Sequence, residues 1–339
     1  MRTGIVVGVT CALLGLVLIL GSGDDGGPNP YVVIGVATGS FYGLVALGLV
    51  LVYKGSRVFN FAQGEFGTVG AFGTYVLLEQ VGKVPDWLAI IGGLAAGTLL
   101  GLFMERVVVR PLMNAPRINL LVATIAFALL TVGIEIVLFL PEPKVLRPII
   151  PPVDAGGNPN GLDIFGYLLE PQNIIAIAVL GLIAVILAYF FSKTDLGLAV
   201  LATSQDPFAT RVVGIGVERM SRFIWGTAAF LGALAGILYV PITGTLTPGA
   251  ITTGILIPAF TAAVLGGMTS LPGAFLGGIL VGCVQSLANW AGNAYSFTVD
   301  EGVVKPLASI IYGLPDVAII LVLLLVLLAR PQGLLGSEA

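Results

Sequence analysis

The chain alternates long apolar runs with short segments that are polar or rich in glycine and proline. A helix needs about 20 apolar residues to cross the roughly 30 Å of hydrocarbon in a bilayer. Ten runs qualify, at approximately 4–20, 31–53, 58–78, 87–104, 118–140, 173–191, 223–240, 255–270, 273–291 and 306–329. Polar residues, glycine or proline interrupt the third and eighth runs most. The pattern predicts an all-α integral membrane protein with about ten transmembrane helices.

The first run has two interpretations. Residues 4–20 are either a retained helix or the apolar region of a signal peptide, since small residues follow at 21–23. We favour a retained helix, because the orientation of the remaining runs is then consistent throughout. The chain is accordingly divided into an extra amino-terminal helix with a short external linker at 1–30, a transmembrane domain at 31–336 and a C-terminal tail at 337–339.

Basic residues are distributed unevenly between the two predicted membrane faces. With the N-terminus inside, eleven of the fifteen face the cytoplasm: Arg2, Lys54, Arg57, Arg106, Arg110, Arg117, Lys193, Arg211, Arg219, Arg222 and Arg330. The other four face outward: Lys83, Lys144, Arg147 and Lys305. Because short cytoplasmic loops carry an excess of lysine and arginine, we predict that both termini are cytoplasmic.

Composition supports the membrane assignment and excludes several functions. Hydrophobic residues make up 57% of the chain, charged residues make up 10%, and the mean hydropathy is +1.05, whereas soluble domains carry roughly 25% charged residues. The net charge of −3 offers no basic surface for nucleic acid. The sequence has no histidine, which excludes imidazole metal sites and Ser/His/Asp triads, and no metal site is expected. Cys11 and Cys283 lie in apolar runs and are interpreted as small buried residues.

Ionisable residues inside membrane runs are costly and therefore mark candidate functional positions. The candidate translocation-pathway residues cluster in the third run, at Asn60, Phe61, Gln63, Gly64 and Glu65. Gly64 either allows close backbone approach or breaks the helix. Two interpretations of Glu65 stay open: it lines a polar pathway, or it caps a broken helix or pairs with Arg57 to hold the bundle. Glu135 is expected to snorkel outward or to be paired.

Two extramembrane segments exceed a simple turn. Residues 141–172 are rich in proline and glycine and are predicted to form an irregular external loop, which could serve as a docking surface or lid. Residues 192–222 form a predicted cytoplasmic loop. Within it, Asp206 is a suitable helix N-cap, Pro207 suits the first helical position, and Gly214 suits a helix end.

These caps predict a short helix at 207–213 outside the membrane. It would present the apolar side chains of Phe208, Val212 and Val213. Either this helix is tucked against the bundle, or it inserts into a groove of a partner protein.

The sequence contains no recognisable phosphate-binding loop, because its only Gly-Lys pair, Gly82-Lys83, precedes valine and lies in a predicted external turn. An ATP-driven function would therefore need separate ATPase subunits. The alternative is an ion-coupled secondary transporter that uses Glu65 as its proton or cation site. A membrane-embedded enzyme is disfavoured, since no nucleophile–base pair or metal cluster lies near one membrane face.

Five blocks resemble the branched-chain amino acid ABC transporter permeases of the LivH type. Residues 39–75 look like the opening block of that family, and Asn60-Phe61-Ala62-Gln63-Gly64-Glu65 is similar to its Asn-Phe-Ala-His-Gly-Glu signature. The other blocks are 106–111 (RVVVRP), 194–215, 258–274 and 330–336 (RPQGLLG). The resemblance runs from about residue 31 to residue 336.

The resemblance implies an ABC importer permease in the plasma (inner) membrane of a prokaryote. It implies a second related permease subunit, two cytoplasmic ATPase subunits that bind ATP and Mg, and an external solute-binding protein. The permease itself would be no enzyme, would bind no cofactor, and would move leucine, isoleucine or valine by alternating access. Related systems carry urea, amides or other amino acids, and the sequence does not separate these substrates.

The resemblance also implies that the loop at 192–222 supplies the coupling helix that contacts the ATPase. The candidate coupling residues are Asp206, Pro207, Phe208, Arg211 and Gly214. Three positions depart from the family pattern. Gln63 replaces the usual histidine, and Leu198 and Leu201 stand where arginines are common, so charge contacts with an ATPase would differ here.

Overall fold

The computed structural model describes residues 29–82, 84–113, 115–153, 157, 159–164, 167–294, 296–299, 303–306, 313–330 and 332–336. The predicted helix at 4–20 and the tail at 337–339 lie outside the described residues. The domain boundaries at 30 and 336 stay predictions.

The first half of the chain forms four helices. They are α1 (Asn29–Ser56), α2 (Gln63–Tyr75), α3 (Asp86–Met104) and α4 (Arg117–Phe139). α2 continues into a π-helical turn at Val76–Val81. α3 continues through a π-helical turn at Glu105–Val109 and a 3-10 turn at Arg110–Leu112.

The second half contains short and long helices in alternation. They are α5 (Pro171–Lys193), α6 (Asp195–Gln205), α7 (Pro207–Val212), α8 (Val217–Thr243), α9 (Ala250–Gly254), α10 (Leu256–Gly266), α11 (Leu271–Ala294) and α12 (Leu314–Ala329). α6 was not expected from the sequence.

Two antiparallel hairpins add to the all-α fold expected from the sequence. Strands β1 (Leu162–Ile164) and β2 (Tyr167–Leu169) pair within the predicted external loop, which is therefore not wholly irregular. Strands β3 (Ser296–Val299) and β4 (Val303–Pro306) pair between α11 and α12, and β4 ends at the first residue of the predicted run at 306–329.

Six described helices are long and apolar enough to cross a membrane. They are Asn29–Ser56, Asp86–Leu112, Arg117–Phe139, Pro171–Lys193, Val217–Thr243 and Leu271–Ala294. Leu256–Gly266 and Leu314–Leu328 are apolar but shorter. The count of ten spans and the cytoplasmic placement of both termini therefore stay predictions.

Two of the predicted spans are interrupted. In the run at 58–78, the helix begins only at Gln63. The run at 255–270 is helical only from Leu256 to Gly266, and these 11 residues rise about 16 Å, well short of the hydrocarbon thickness. It ends there because Gly267 adopts a positive φ of 101°, which helical residues do not have.

The core is built around α1, which is the most deeply buried of the six long helices. Its most extensive contact is with α11. The two helices meet backbone to backbone, because a methyl group added to Gly39 would lie 2.6 Å from the carbonyl oxygen of Gly278. α2 packs in the same way between α3 and α8, where Gly67 and Gly236 are in direct backbone contact. Glycine thus permits helix crossings closer than other residues allow.

Candidate functional site

The chain breaks between α1 and α2, at the block of candidate pathway residues. Arg57 ends α1 in the left-handed region, with φ of 57°, and donates its N–H to the carbonyl of Tyr53 over 2.8 Å. The Asn60 side-chain oxygen then accepts the N–H of Ala62 at 3.0 Å. Asparagine commonly satisfies a turn in this way. The sequence signal for a helix break was therefore correct, but the break precedes Gln63 and does not lie at Gly64.

Asn60 and Gln63 form a buried polar chain that reaches α8. The Asn60 amide donates to Gln63 Oε1 over 3.1 Å, and Gln63 Nε2 donates to the carbonyl of Ala228 over 2.8 Å. Both side chains are at most 1% exposed. Because buried polar groups are stable only when hydrogen-bonded, this chain fixes the start of α2 against the middle of α8.

Gly64 allows the backbones of α2 and α9 to approach each other closely. A methyl group at this position would lie 2.7 Å from Cα of Thr252, so α2 and α9 are in backbone contact here. Of the two sequence interpretations of Gly64, close backbone approach is the one that matches this geometry.

Glu65 and Glu135 are buried together between α2, α4 and α9. Glu65 is fully buried and Glu135 is 3% exposed. The Glu65 carboxyl group lies against the Thr252 hydroxyl and the Glu135 carboxyl group, and neither of its oxygens completes a hydrogen bond of good geometry. Glu135 Oε2 accepts the N–H of Gly249 over 2.9 Å. Glu135 is therefore paired inside the protein and does not snorkel, and Glu65 forms no ion pair with Arg57 among the described residues.

The pathway candidates are closed off in this conformation. Asn60, Gln63, Gly64 and Glu65 are all buried, and only Phe61 is partly exposed. Phe61 stacks on Phe260 with ring centroids 6.2 Å apart. A solute could reach Glu65 only if α2 separated from its neighbours.

An aromatic group that the sequence analysis did not single out surrounds Phe61. Phe59 contacts both Tyr53 and Phe260, with ring centroids 5.1 and 5.4 Å apart. These rings are partly exposed and join the end of α1 to α10. The sequence did not indicate that these rings contact one another, because Phe260 lies about 200 positions away from its partners.

The candidate coupling residues form a capped helix at the arginine-rich end of the bundle. Asp206 Oδ1 accepts the N–H groups of Phe208 and Ala209, each at 2.9 Å. Pro207 occupies the first turn of α7, and Gly214 adopts a positive φ of 84° just beyond its end. The helix predicted at 207–213 is therefore present at Pro207–Val212.

α7 presents apolar side chains outward. Phe208 is 76% exposed, Val212 is 73% exposed and Val213 is 74% exposed. Arg211 lies beside them and is also exposed. Exposed apolar side chains on a short extramembrane helix are typical of a protein-binding element. Thr210 on the opposite side of α7 is 3% exposed, so the helix packs on the bundle by one face and leaves these apolar side chains outside; insertion into a partner stays a prediction.

An ion cluster built around one buried carboxylate lies at the same end of the bundle, and the sequence analysis did not identify it. Arg110 Nη1 lies 2.7 Å from Glu218 Oε2, and Arg110 Nε lies 3.8 Å from Oε1 of Glu105. Glu105 is fully buried. The cluster joins the end of α3 to the first turn of α8. Its sequence signal was the acidic residue just before the RVVVRP block.

No group of three acidic, histidine or cysteine residues within the described part of the chain could hold a metal ion.

Comparisons with known proteins identify the family of this chain. Residues 31–329 match the family described as the branched-chain amino acid transport system permease component. BraD of Pseudomonas aeruginosa, a high-affinity branched-chain amino acid permease protein, is 30% identical over 312 residues, covering 89% of this chain and 94% of BraD. LivH of Escherichia coli K12 is 28% identical over 318 residues, covering 89% and 93%. The ribose import permease RbsC of the same organism is 25% identical over 279 residues, covering 79% and 81%. With most of its length matched, this chain is a multi-pass plasma-membrane protein that belongs to the branched-chain amino acid transport permease family.

Proposed function

We propose that this chain is the permease subunit of an ABC importer for branched-chain amino acids. The observation that carries the proposal is α7, a capped helix that presents Phe208, Val212 and Val213 outside the bundle. A helix of this kind can bind a separate protein and move with it. The named activities of BraD and LivH support the choice of substrate.

In the proposed assembly, two ATPase subunits contact α7 and supply the energy of ATP hydrolysis. A second permease subunit and an external solute-binding protein complete the importer. This chain binds no ATP, forms no covalent intermediate and performs no chemistry on the solute. The residues that contact the ATPase are Asp206, Pro207, Phe208, Arg211 and Gly214.

Transport in this proposal proceeds by alternating access. The closed packing around Glu65 corresponds to a state without an open path at this point. Movement of α7 reaches the block at Asn60–Glu65 through α8, because the start of α8 follows α7 and its middle accepts the hydrogen bond from Gln63. Separation of α2 from α9 would then expose Phe61 and Glu65 to the solute.

The test is uptake of labelled leucine into vesicles that contain the chain with its co-purified partners and internal ATP. Phe208→Ala should reduce ATP-driven uptake about tenfold or more. Phe208 would be buried in the contact with the ATPase, and buried aromatic residues contribute most of the binding energy of an interface. Phe103→Ala is the matched control, since Phe103 is 56% exposed on α3 and is not among the residues that line the space next to α7. Unchanged uptake with Phe208→Ala would contradict the role of α7. Uptake by the chain alone, without ATP, would contradict the proposed function.

A further inference from the structure

A cavity of about 580 Å³ lies behind α7, between this helix and the bundle. Arg57, Arg117 and Arg211 all line it. They come from three different elements: Arg57 directly follows α1, Arg117 begins α4, and Arg211 lies in α7. All three are on the predicted cytoplasmic face, at the level where the helices leave the membrane.

Among the residues that the structure describes, the positive charge in this cavity is only partly balanced. Among the described residues, none of the three arginines forms an ion pair within 4.0 Å. Asp206 is the one acidic residue among the described lining residues, so a single negative charge faces three arginines. Arg110, by contrast, is held by Glu105 and Glu218 at the same end of the bundle.

The inner wall of the cavity is apolar. It includes Val58, Leu120, Ile224 and Trp225, none of which is more than 5% exposed. A cavity of this size exceeds what an inorganic ion would fill, since pockets of 300 to 1,000 Å³ typically hold an organic ligand. The lining therefore fits a molecule with an anionic group and an apolar portion.

We propose that this cavity binds the phosphate group of an anionic phospholipid from the cytoplasmic leaflet. Guanidinium groups bind phosphate through paired, charge-assisted hydrogen bonds, and a phosphate has enough oxygens to accept from more than one arginine. Basic pockets between membrane helices on the cytoplasmic side are a known mode of headgroup recognition. The bound phosphate would connect α7 to the ends of α1 and α4.

The experiment uses the purified full-length chain in neutral detergent. Phosphatidylglycerol, phosphatidylcholine or inorganic phosphate is titrated in, and bound lipid is counted by native mass spectrometry while the unfolding midpoint is recorded. One variant combines Arg57→Gln, Arg117→Gln and Arg211→Gln. The matched control combines Arg106→Gln, Arg219→Gln and Arg222→Gln, which removes equal charge from exposed arginines outside the cavity.

We expect phosphatidylglycerol to bind and stabilise the wild type and the control, and to bind the cavity variant about a hundredfold more weakly, at about fivefold per arginine. Equal binding by both variants would overturn the proposal, since surface charge alone would then explain it. Phosphatidylcholine binding as tightly as phosphatidylglycerol would do the same. Equal stabilisation by inorganic phosphate would overturn the lipid assignment and make the ligand a free phosphate.

Two further arms keep the result interpretable. A variant with lysine at all three positions retains the charge and should recover part of the binding, which separates loss of the site from loss of folding. If the cavity variant binds phosphatidylglycerol normally but no longer co-purifies with ATPase subunits, the arginines contact protein and the lipid proposal is wrong.

Discussion

Gln63 donates its side-chain amide to the carbonyl oxygen of Ala228, 165 positions further along the chain and 2.8 Å away. This bond joins the first residue of α2 to the middle of α8. The Gln63 side chain also fills the space next to Gly48 of α1, where an added methyl group would collide with Nε2 of Gln63. The Gln63 side chain thus fixes the positions of α1, α2 and α8 relative to one another.

Replacing Gln63 with the near-isosteric methionine should destabilise the bundle by about 1 to 3 kcal/mol, because the Asn60 amide would lose its buried acceptor. Thermal unfolding of the purified variant in detergent measures this. Gln80→Met, at an exposed position, is the control and should leave the midpoint unchanged. An equal midpoint for Gln63→Met and the wild type would show that the polar chain contributes nothing to stability.

Glu135 offers a test of the buried acid pair. Glu135→Gln keeps an oxygen that can accept from Gly249 and removes a carboxyl group that lies against Glu65, so the folded state should be as stable as the wild type or more stable. Glu135→Leu removes the acceptor and should cost about 1 to 3 kcal/mol. Unfolding midpoints compare the two. Equal loss in both variants would contradict an acceptor role for Glu135.

Arg110→Ala should be among the most damaging single changes at the arginine-rich end. It leaves the buried Glu105 carboxylate without its nearest cation; since Arg110 is partly exposed and 3.8 Å away, we expect a cost below the roughly 3 to 5 kcal/mol of a fully buried pair. Adding Glu105→Gln to this variant should restore much of the loss, since the uncompensated charge disappears. Expression level and unfolding midpoint are the readouts. Failure of the second change to rescue the first would exclude charge burial as the cause.

Variants of Asp206 test the stability of α7 separately from the stability of the bundle. Asp206→Ala should destabilise α7 by about 1 kcal/mol and lower ATP-driven uptake under the proposed function, while the unfolding midpoint of the bundle stays the same. Asp206→Asn should retain most of the uptake, because asparagine caps helices about as well. Uptake that falls equally in both variants would indicate that the negative charge matters, not the cap.

Local features of the fold could be predicted from the sequence because their causes are local. The α7 caps lie within eight residues of each other, between Asp206 and Gly214. Each long helix was predictable from the length and hydropathy of its own segment; these helices are α1, α3, α4, α5, α8 and α11.

Features that depend on distant partners could not be predicted. Glu135 finds its N–H donor 114 positions away, at Gly249, so its inward orientation had no signal in the surrounding sequence. The shortness of α10 depends on the positive φ of Gly267, in a run that is otherwise apolar enough to span. The cation beside Glu105 is likewise placed by a distant partner, since Arg110 contacts Glu218, 108 positions further along the chain.

The crossing of α1 and α11 limits which parts of the protein can move. Gly39 and Gly278 leave less than one methyl group of space between two backbones, so neither helix can rotate or slide against the other without steric collision. The pair must behave as one rigid body through any transport cycle. Because Gly67 and Gly236 bring α2 and α8 equally close, motion that exposes the two buried acids falls on α4 and α9, which enclose them together with α2.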